Sequence, residues 1–373
     1  MTGPTSAYAD SKQHFLILDA LRGVASVMVV IMHAFEVFCN GDYHKMIINH
    51  GYLAVDFFFM LSGFVMAHAY DDRWDSMTVW DFLKRRLIRL HPLIILGMVL
   101  GALLFFFQES SFFPKIAGTT VREVVIVLLI GVTLIPIPPS MDIRGWNEMH
   151  PLNGAAWSLF LEYVANILHV FILRRLSKIA LSVLVLLAAF AHLHLTTQGP
   201  SGDLIGGWSL EPEQLRIGFT RLLLPYMAGM LLRRMVSVKG DKDTFLSASL
   251  ILILVLSVPR LGGRDMLWVN GLYESGVILF VFPLVIYLGA IGVVKSDAAR
   301  RFCMFLGDVS YPLYITHFPV MYLFYAWVVN NKVPLDQGIW YIPLLAVFSV
   351  MLAYLWLKVY DEPVRRWLTK RFM

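Results

Sequence analysis

Ten apolar runs of membrane-crossing length recur along the 373 residues, near 15–37, 52–70, 90–107, 151–173, 179–195, 217–232, 244–259, 271–293, 303–329 and 339–357. A crossing helix takes ~20 residues, so ten use ~200 and leave ~170 for loops and ends. Only 15% of the chain is charged and 58% is hydrophobic, against about 25% charged in a soluble domain. That balance excludes a soluble globular domain, and the hydrophobicity excludes disorder. The pattern predicts an all-α, polytopic membrane bundle of about ten transmembrane helices, read as one domain over 1–373 with no sizeable soluble domain beside it. The first residues, MTGPTSAYADSKQHF, show no charged n-region, short apolar core and cleavage site in sequence, so no cleaved leader is expected.

An eleventh apolar stretch, 121–137, is interrupted by Gly131 and closed by Pro136, Pro138 and Pro139. Charge decides whether it crosses. If it does not, and the N-terminus is cytoplasmic, 21 basic residues fall inside and 8 outside; if it crosses, the tally becomes 11 inside and 18 outside. The positive-inside rule selects the first arrangement. It gives ten crossings, both termini cytoplasmic, a short cytoplasmic segment 1–14, and a re-entrant or outer-surface helix over 121–137. The net charge of +5 then reflects cytoplasmic loops and not nucleic acid. Cys39 and Cys303 fall on opposite sides and should not pair. The loop 196–216 is either an outer vestibule or a plain connector.

Ionisable groups at membrane depth cost at least ~2.5–3.5 kcal/mol each, so they need a partner, a water-filled cavity or a task. The first run carries Asp19 and Arg22 near its cytoplasmic end and His33 eleven residues on. Eleven residues are close to three turns and ~16 Å, which sets Arg22 and His33 on one face at different depths. Asp56 in the second run should lie at a depth comparable with His33, where a carboxylate could orient the imidazole as a general base. Between the second and third runs, Lys84, Arg85, Arg86 and Arg89 cluster on the cytoplasmic side. They are either topogenic charge or a polyanion site, since guanidinium binds phosphate in a bidentate manner. Glu162, with Trp157 and Ser158 above it and Asn166 at i+4, should line a polar cavity two to three turns below the outer surface. Tyr311, Tyr314 and His317 occupy the ninth run, the last two sharing a face. No HExxH, Cys/His cluster, GxxxxGK[ST] loop or GxGxxG turn is present, and His192 and His194 lack further ligands, so no metal is expected.

Six segments fall in one order from residue 16 to 366: LDALRG with ten residues between Arg22 and His33, VDFFFMLSGF, FLKRRLIRLHP, WSLFLEY, LGDVSYPLYITH and EPVRR. Together they resemble the acyltransferase 3 family of multipass membrane O-acyltransferases. The resemblance implies transfer of an acyl group, most often acetyl, from cytoplasmic acyl-CoA to a hydroxyl of a carbohydrate or related acceptor. It makes His33 the catalytic histidine and gives Arg22, Arg86 and Arg89 to donor binding or transfer. No hydrolase-like soluble domain follows the last run, so the chain should complete the transfer itself.

Placed on these residues, the expected site docks the donor phosphates on Arg85, Arg86 and Arg89 and runs the pantetheine arm past Arg22. His33, oriented by Asp56, deprotonates the acceptor or carries the acyl group, and Trp157, Glu162, Tyr311, Tyr314 and His317 contact substrate. The acceptor is expected to approach from the outer side. The alternatives are a transporter or flippase, in which His33 relays protons, and the same fold acting as a succinyltransferase or on a non-sugar acceptor.

Overall fold

A computed structural model describes residues 14–373; the expected cytoplasmic segment 1–14 therefore lies outside the described residues except for His14. Every regular element among the described residues is helical. Nine helical stretches among them are long and apolar enough to cross a membrane: 16–39, 50–70, 79–108, 156–175, 178–198, 212–235, 267–291, 297–330 and 341–372. Their principal helices are α1 (Leu16–Glu36), α2 (Ala54–Tyr70), α3 (Val79–Leu104), α5 (Ala156–Phe171), α6 (Lys178–Gln198), α7 (Pro212–Met235), α9 (Leu267–Gly276) continued by α10 (Phe282–Ile291), α11 (Asp297–Asn330), and α13 (Tyr341–Trp356) continued by α14 (Glu362–Phe372). Single π-helical turns, Val277–Val281 and Leu357–Asp361, join the two continued pairs. The short α12 spans Leu335–Gly338.

The tenth expected crossing is shorter than its apolar run. α8 covers only Phe245–Ser257, about 20 Å of helix. Both of its ends are tied to neighbouring segments. Thr244 Oγ1 donates to the Leu288 carbonyl at one end, and at the other the Val258 carbonyl meets His50 Nδ1. Thus α8 runs antiparallel to α9–α10, but at this length it is not among the helices long enough to cross.

The stretch 121–137 folds as α4 (Val121–Gly131), opened by a capping box in which Thr120 and Glu123 exchange hydrogen bonds. Eleven residues give about 16 Å of helix, too short to cross. Val124 and Val127 are buried while Val121, Val125 and Leu129 are exposed.

Two features of the packing position the site. First, α2 and α7 touch through glycine. A Cβ on Gly63 would lie 2.0 Å from the Tyr226 carbonyl oxygen, and one on Gly229 would lie 1.9 Å from that of Met60. Only a residue without a side chain permits that approach. Second, Pro319 inside α11 has no N–H to give to the Ile315 carbonyl four residues earlier. Asn153 Nδ2 donates to that carbonyl instead, at 2.7 Å. The segment before α5 is thereby drawn into the bundle, with the Leu152 carbonyl against Gly101 and Gly154 against Tyr322 and Phe318.

Candidate active site

Two cavities enter the bundle from opposite ends. One, of about 110 Å³, is lined by Arg22, Arg86, Arg89, Glu162, Ser310 and Tyr311 among others. It opens at the end where the basic loops gather. The other, of about 440 Å³, is lined by His33, Glu36, Tyr43, Glu148, Trp157 and Arg221 among others. Val55 and Tyr314 line both, so the cavities meet at these two side chains.

In the basic cavity the arginines are held differently. Arg22 Nε donates to Ser310 Oγ at 2.9 Å, and its Nη2 lies 3.0 Å from Asp19. Arg86 forms an ion pair with Glu162. Arg89 is exposed. Arg85, expected beside them, is half-buried and is not among the lining residues. The Tyr311 hydroxyl donates to the Leu90 carbonyl at 2.6 Å. Ser158 gives its proton to the Ala155 carbonyl, so the Tyr314 hydroxyl, 2.6 Å away, is the donor in their shared bond.

Glu162 corrects an expectation. It faces the basic cavity and pairs with Arg86 instead of opening toward the outer surface. Depth counted from residue 151 misleads because residues 152–154 already lie within the bundle, fastened there by Asn153. Helix α5 starts deep, and its first two turns reach the level of Arg86.

The far cavity is built around His33. Its Nδ1 lies 2.8 Å from Glu36 Oε2, one turn along α1. The same carboxylate accepts from the Tyr43 hydroxyl at 2.7 Å and has the Tyr325 hydroxyl 3.0 Å away. The Tyr325 hydroxyl directs its proton chiefly to the His33 carbonyl at 2.7 Å; an ionised Glu36 can only accept, so the imidazole hydrogen sits on Nδ1. The Nε2 lone pair is left free, with no protein partner among the described residues. Phe318 packs edge-on against the ring at 4.5 Å between centroids, and His317 stacks on it at 5.6 Å. His317 itself is buried, its Nδ1 turned to the Leu313 and Tyr314 carbonyls. It supports His33 and does not line either cavity.

Asp56 is the second correction. It lies beneath the same cavity but does not meet the imidazole. Both of its oxygens accept from Arg221, Oδ2 from Nη2 at 2.8 Å and from Nε at 3.2 Å, and Oδ1 from Nε at 3.4 Å. Arg221 also donates to the Tyr52 and Gly206 carbonyls. An arginine in the middle of a crossing helix needs a buried acid, and Asp56 on the helix clasped to α7 supplies it.

The loops shape the mouth of this cavity. Ile205, Gly206 and Trp208 line it, so this part of 196–216 shapes a cavity and is more than a plain connector. Glu148 comes from the loop before α5, and both of its oxygens accept from the Tyr322 hydroxyl, at 2.8 and 2.9 Å. Burial pushes its carboxyl up to about 7, against the pull of Arg144. Sequence reading missed Glu36, Tyr43, Glu148, Arg221 and Tyr325. Of these Glu36 had a local signal, its i,i+3 spacing from His33 on one helix face, and Arg221 another, as an arginine inside the apolar run 217–232. Among the described residues no group of three His, Cys, Asp or Glu could hold a metal ion.

A helical membrane bundle with an arginine-lined cavity at one end and a carboxylate-oriented histidine at the other is suited to moving a group between two substrates. Comparison with known families agrees: the acyltransferase 3 model, an acyltransferase domain, matches residues 15–358. The chain belongs to the acyltransferase 3 family and is an integral membrane acyltransferase. Among curated proteins it is similar to protein 2 in the picA locus of Rhizobium radiobacter, 35% identical over 161 residues that cover 41% of this chain and 80% of that protein. It is also similar to the O-acetyltransferase OatA of Staphylococcus aureus strain NCTC 8325, 22% identical over 370 residues, 94% of this chain and 57% of the relative. The chain thus spans little more than half the length of OatA. No solved structure matches.

Proposed function

We propose that this enzyme transfers an acyl group, acetyl in the first instance, from cytoplasmic acyl-CoA to a hydroxyl of a carbohydrate, such as a unit of a cell-surface polysaccharide. One observation carries the reading: an arginine-lined cavity and a histidine-bearing cavity approach from opposite ends and share Val55 and Tyr314. The basic end is taken as cytoplasmic on the positive-inside rule, and the membrane as the cell (inner) membrane of a bacterium.

In this reading the donor phosphates engage Arg89 and Arg86, with Arg85 at the approach, and Arg22 stands further along the same wall. The thioester reaches the junction at Tyr314. The acceptor enters the far cavity, where Trp157 offers an apolar face. His33 Nε2 takes the hydroxyl proton as the hydroxyl oxygen attacks the thioester carbon. The C–O bond forms, the C–S bond breaks, and the sulfur leaves as thiolate to regain a proton as free CoA thiol. Glu36 fixes the imidazole tautomer and stabilises its cationic form. The test is thiol release by the purified protein from acetyl-CoA with candidate sugars, in wild type and His33→Ala. Release that depends on His33 supports the proposal; release that persists above a tenth of wild type in the variant overturns it.

A further inference from the structure

The mechanism above uses one of the two carboxyls that face the far cavity and leaves Glu148 without a role. Glu148 and Glu36 are suspended from the same helix. Tyr322 holds the first and Tyr325, three residues on, holds the second, with 6.4 Å between their ring centroids. Both carboxyls line the space into which His33 faces.

The cations nearby either stand behind the cavity wall or are committed to other partners, and the one that pairs with Glu148, Arg144, does so from behind. Arg221 is the one basic residue lining it among the described residues, and its guanidinium is committed to Asp56 and two carbonyls. Arg144 lies behind the wall. Its Nε lies 3.8 Å from Glu148 Oε2, a long ion pair, while the guanidinium covers the Tyr322 ring at 3.7 Å, donates to the Pro151 carbonyl and Gln108, and is fully buried, so it does not face the cavity. The basic cavity is the reverse, with three arginines against Glu162. The passage therefore attracts anions at the donor end and repels them where the acyl group arrives.

We propose that Glu148 is a specificity determinant which, with Glu36, restricts the far cavity to an uncharged acyl group and to an acceptor whose bound part carries no anionic group. A dicarboxylic acyl chain such as succinyl would bring its distal carboxylate against Glu148. This inference rests on the acyl-transfer reading above, but its electrostatic core can be tested without turnover.

Ile205 lines the cavity, on the strand of loop tied to the Glu148 segment through the Met149 N–H to Trp208 carbonyl bond of 2.7 Å. In a Cys39→Ala, Cys303→Ala background, Ile205→Cys would be treated with cationic trimethylammonium-ethyl and anionic sulfonato-ethyl methanethiosulfonate. Measured above the pH of about 7 at which the Glu148 carboxyl ionises, the cationic-to-anionic rate ratio should exceed that of a small free thiol by at least about tenfold, as expected for a charged cleft. Glu148→Gln, which still accepts from Tyr322, should return most of that excess. Asn40→Cys on the facing loop gives a second position if Ile205→Cys does not fold. A ratio equal to the free thiol's, or one unmoved by Glu148→Gln, overturns the proposal. In parallel, thiol release from acetyl-CoA and succinyl-CoA should favour acetyl in wild type and shift toward succinyl in Glu148→Gln. If neither donor reacts, the acyl-transfer reading fails, and the alkylation ratio still decides the charge question.

Discussion

Two acid–base pairs lie within the same cavity region and behave as opposites. Asp56–Arg221 is sealed: the side chains are 0% and 2% exposed, and both carboxylate oxygens are occupied by guanidinium nitrogens. His33–Glu36 is open: its side chains are 18% and 15% exposed, and one imidazole nitrogen faces the cavity unpaired. A pair whose hydrogen-bonding capacity is used up can hold helices together, but it has nothing left to offer a substrate. A pair with one lone pair left over can take a proton. The difference lies in what remains unsatisfied, not in the residue types.

The comparison can be broken in order of expected effect. His33→Ala should lower acyl transfer by about 10²–10⁴-fold, the usual worth of a positioned general base, with the thermal midpoint in detergent close to wild type. Asp56→Ala should do the converse. It strands Arg221 in the bundle, which costs about 3–5 kcal/mol, and should be seen as a lowered melting temperature and loss of folded protein. If Asp56→Ala folded normally and lost only turnover, the division between the two pairs would be wrong. Glu36→Gln should fall between them, with a drop in kcat of about 10–100-fold, the size seen when the carboxylate orienting a metal-bound histidine is removed, little change in the donor constant and no loss of fold.

Arg86→Ala should raise the apparent donor constant more than it lowers kcat, because this guanidinium would grip the donor far from the reacting carbon. A change confined to the acceptor constant would remove Arg86 from the donor site. The smallest effect is a pH dependence. The Glu148 carboxyl is raised from 4.5 to about 7 by burial, so the fold prefers its protonated form. That contribution to stability is complete below 4.5 and is lost as pH rises through about 7. Melting curves of wild type and Glu148→Gln should therefore separate across that window and run parallel below it.

The bundle itself was legible in the apolar runs, because lipid admits so few ways to bury a backbone. Arg22 and His33 were legible for a local reason, since spacing along one helix sets both face and depth. Glu36 obeyed the same rule at i,i+3 from His33 and could have been read the same way. The partners of Asp56 and Glu162 could not, as they lie 165 and 76 residues away in sequence. Two near-equal depths suggested that Asp56 would meet His33, but depth is one coordinate and azimuth another. A proline in α11 and an asparagine before α5 together shifted Glu162 into the other cavity, and neither residue announces that effect alone. α8 was overestimated because apolar residues continue past Ser257 in non-helical backbone.

The glycine clasp between α2 and α7 bears on how such an enzyme keeps its membrane tight. With carbonyls of one helix resting where the other has no Cβ, these two walls have no slack to slide or tilt. In the proposed reaction, opening between the two chambers would then fall to the side chains they share, Val55 and Tyr314, whose rotation could pass an acyl fragment without a continuous water path. The cell's ion gradients would be untouched by each turnover, and spin labels on α2 and α7 would report one fixed separation throughout the cycle.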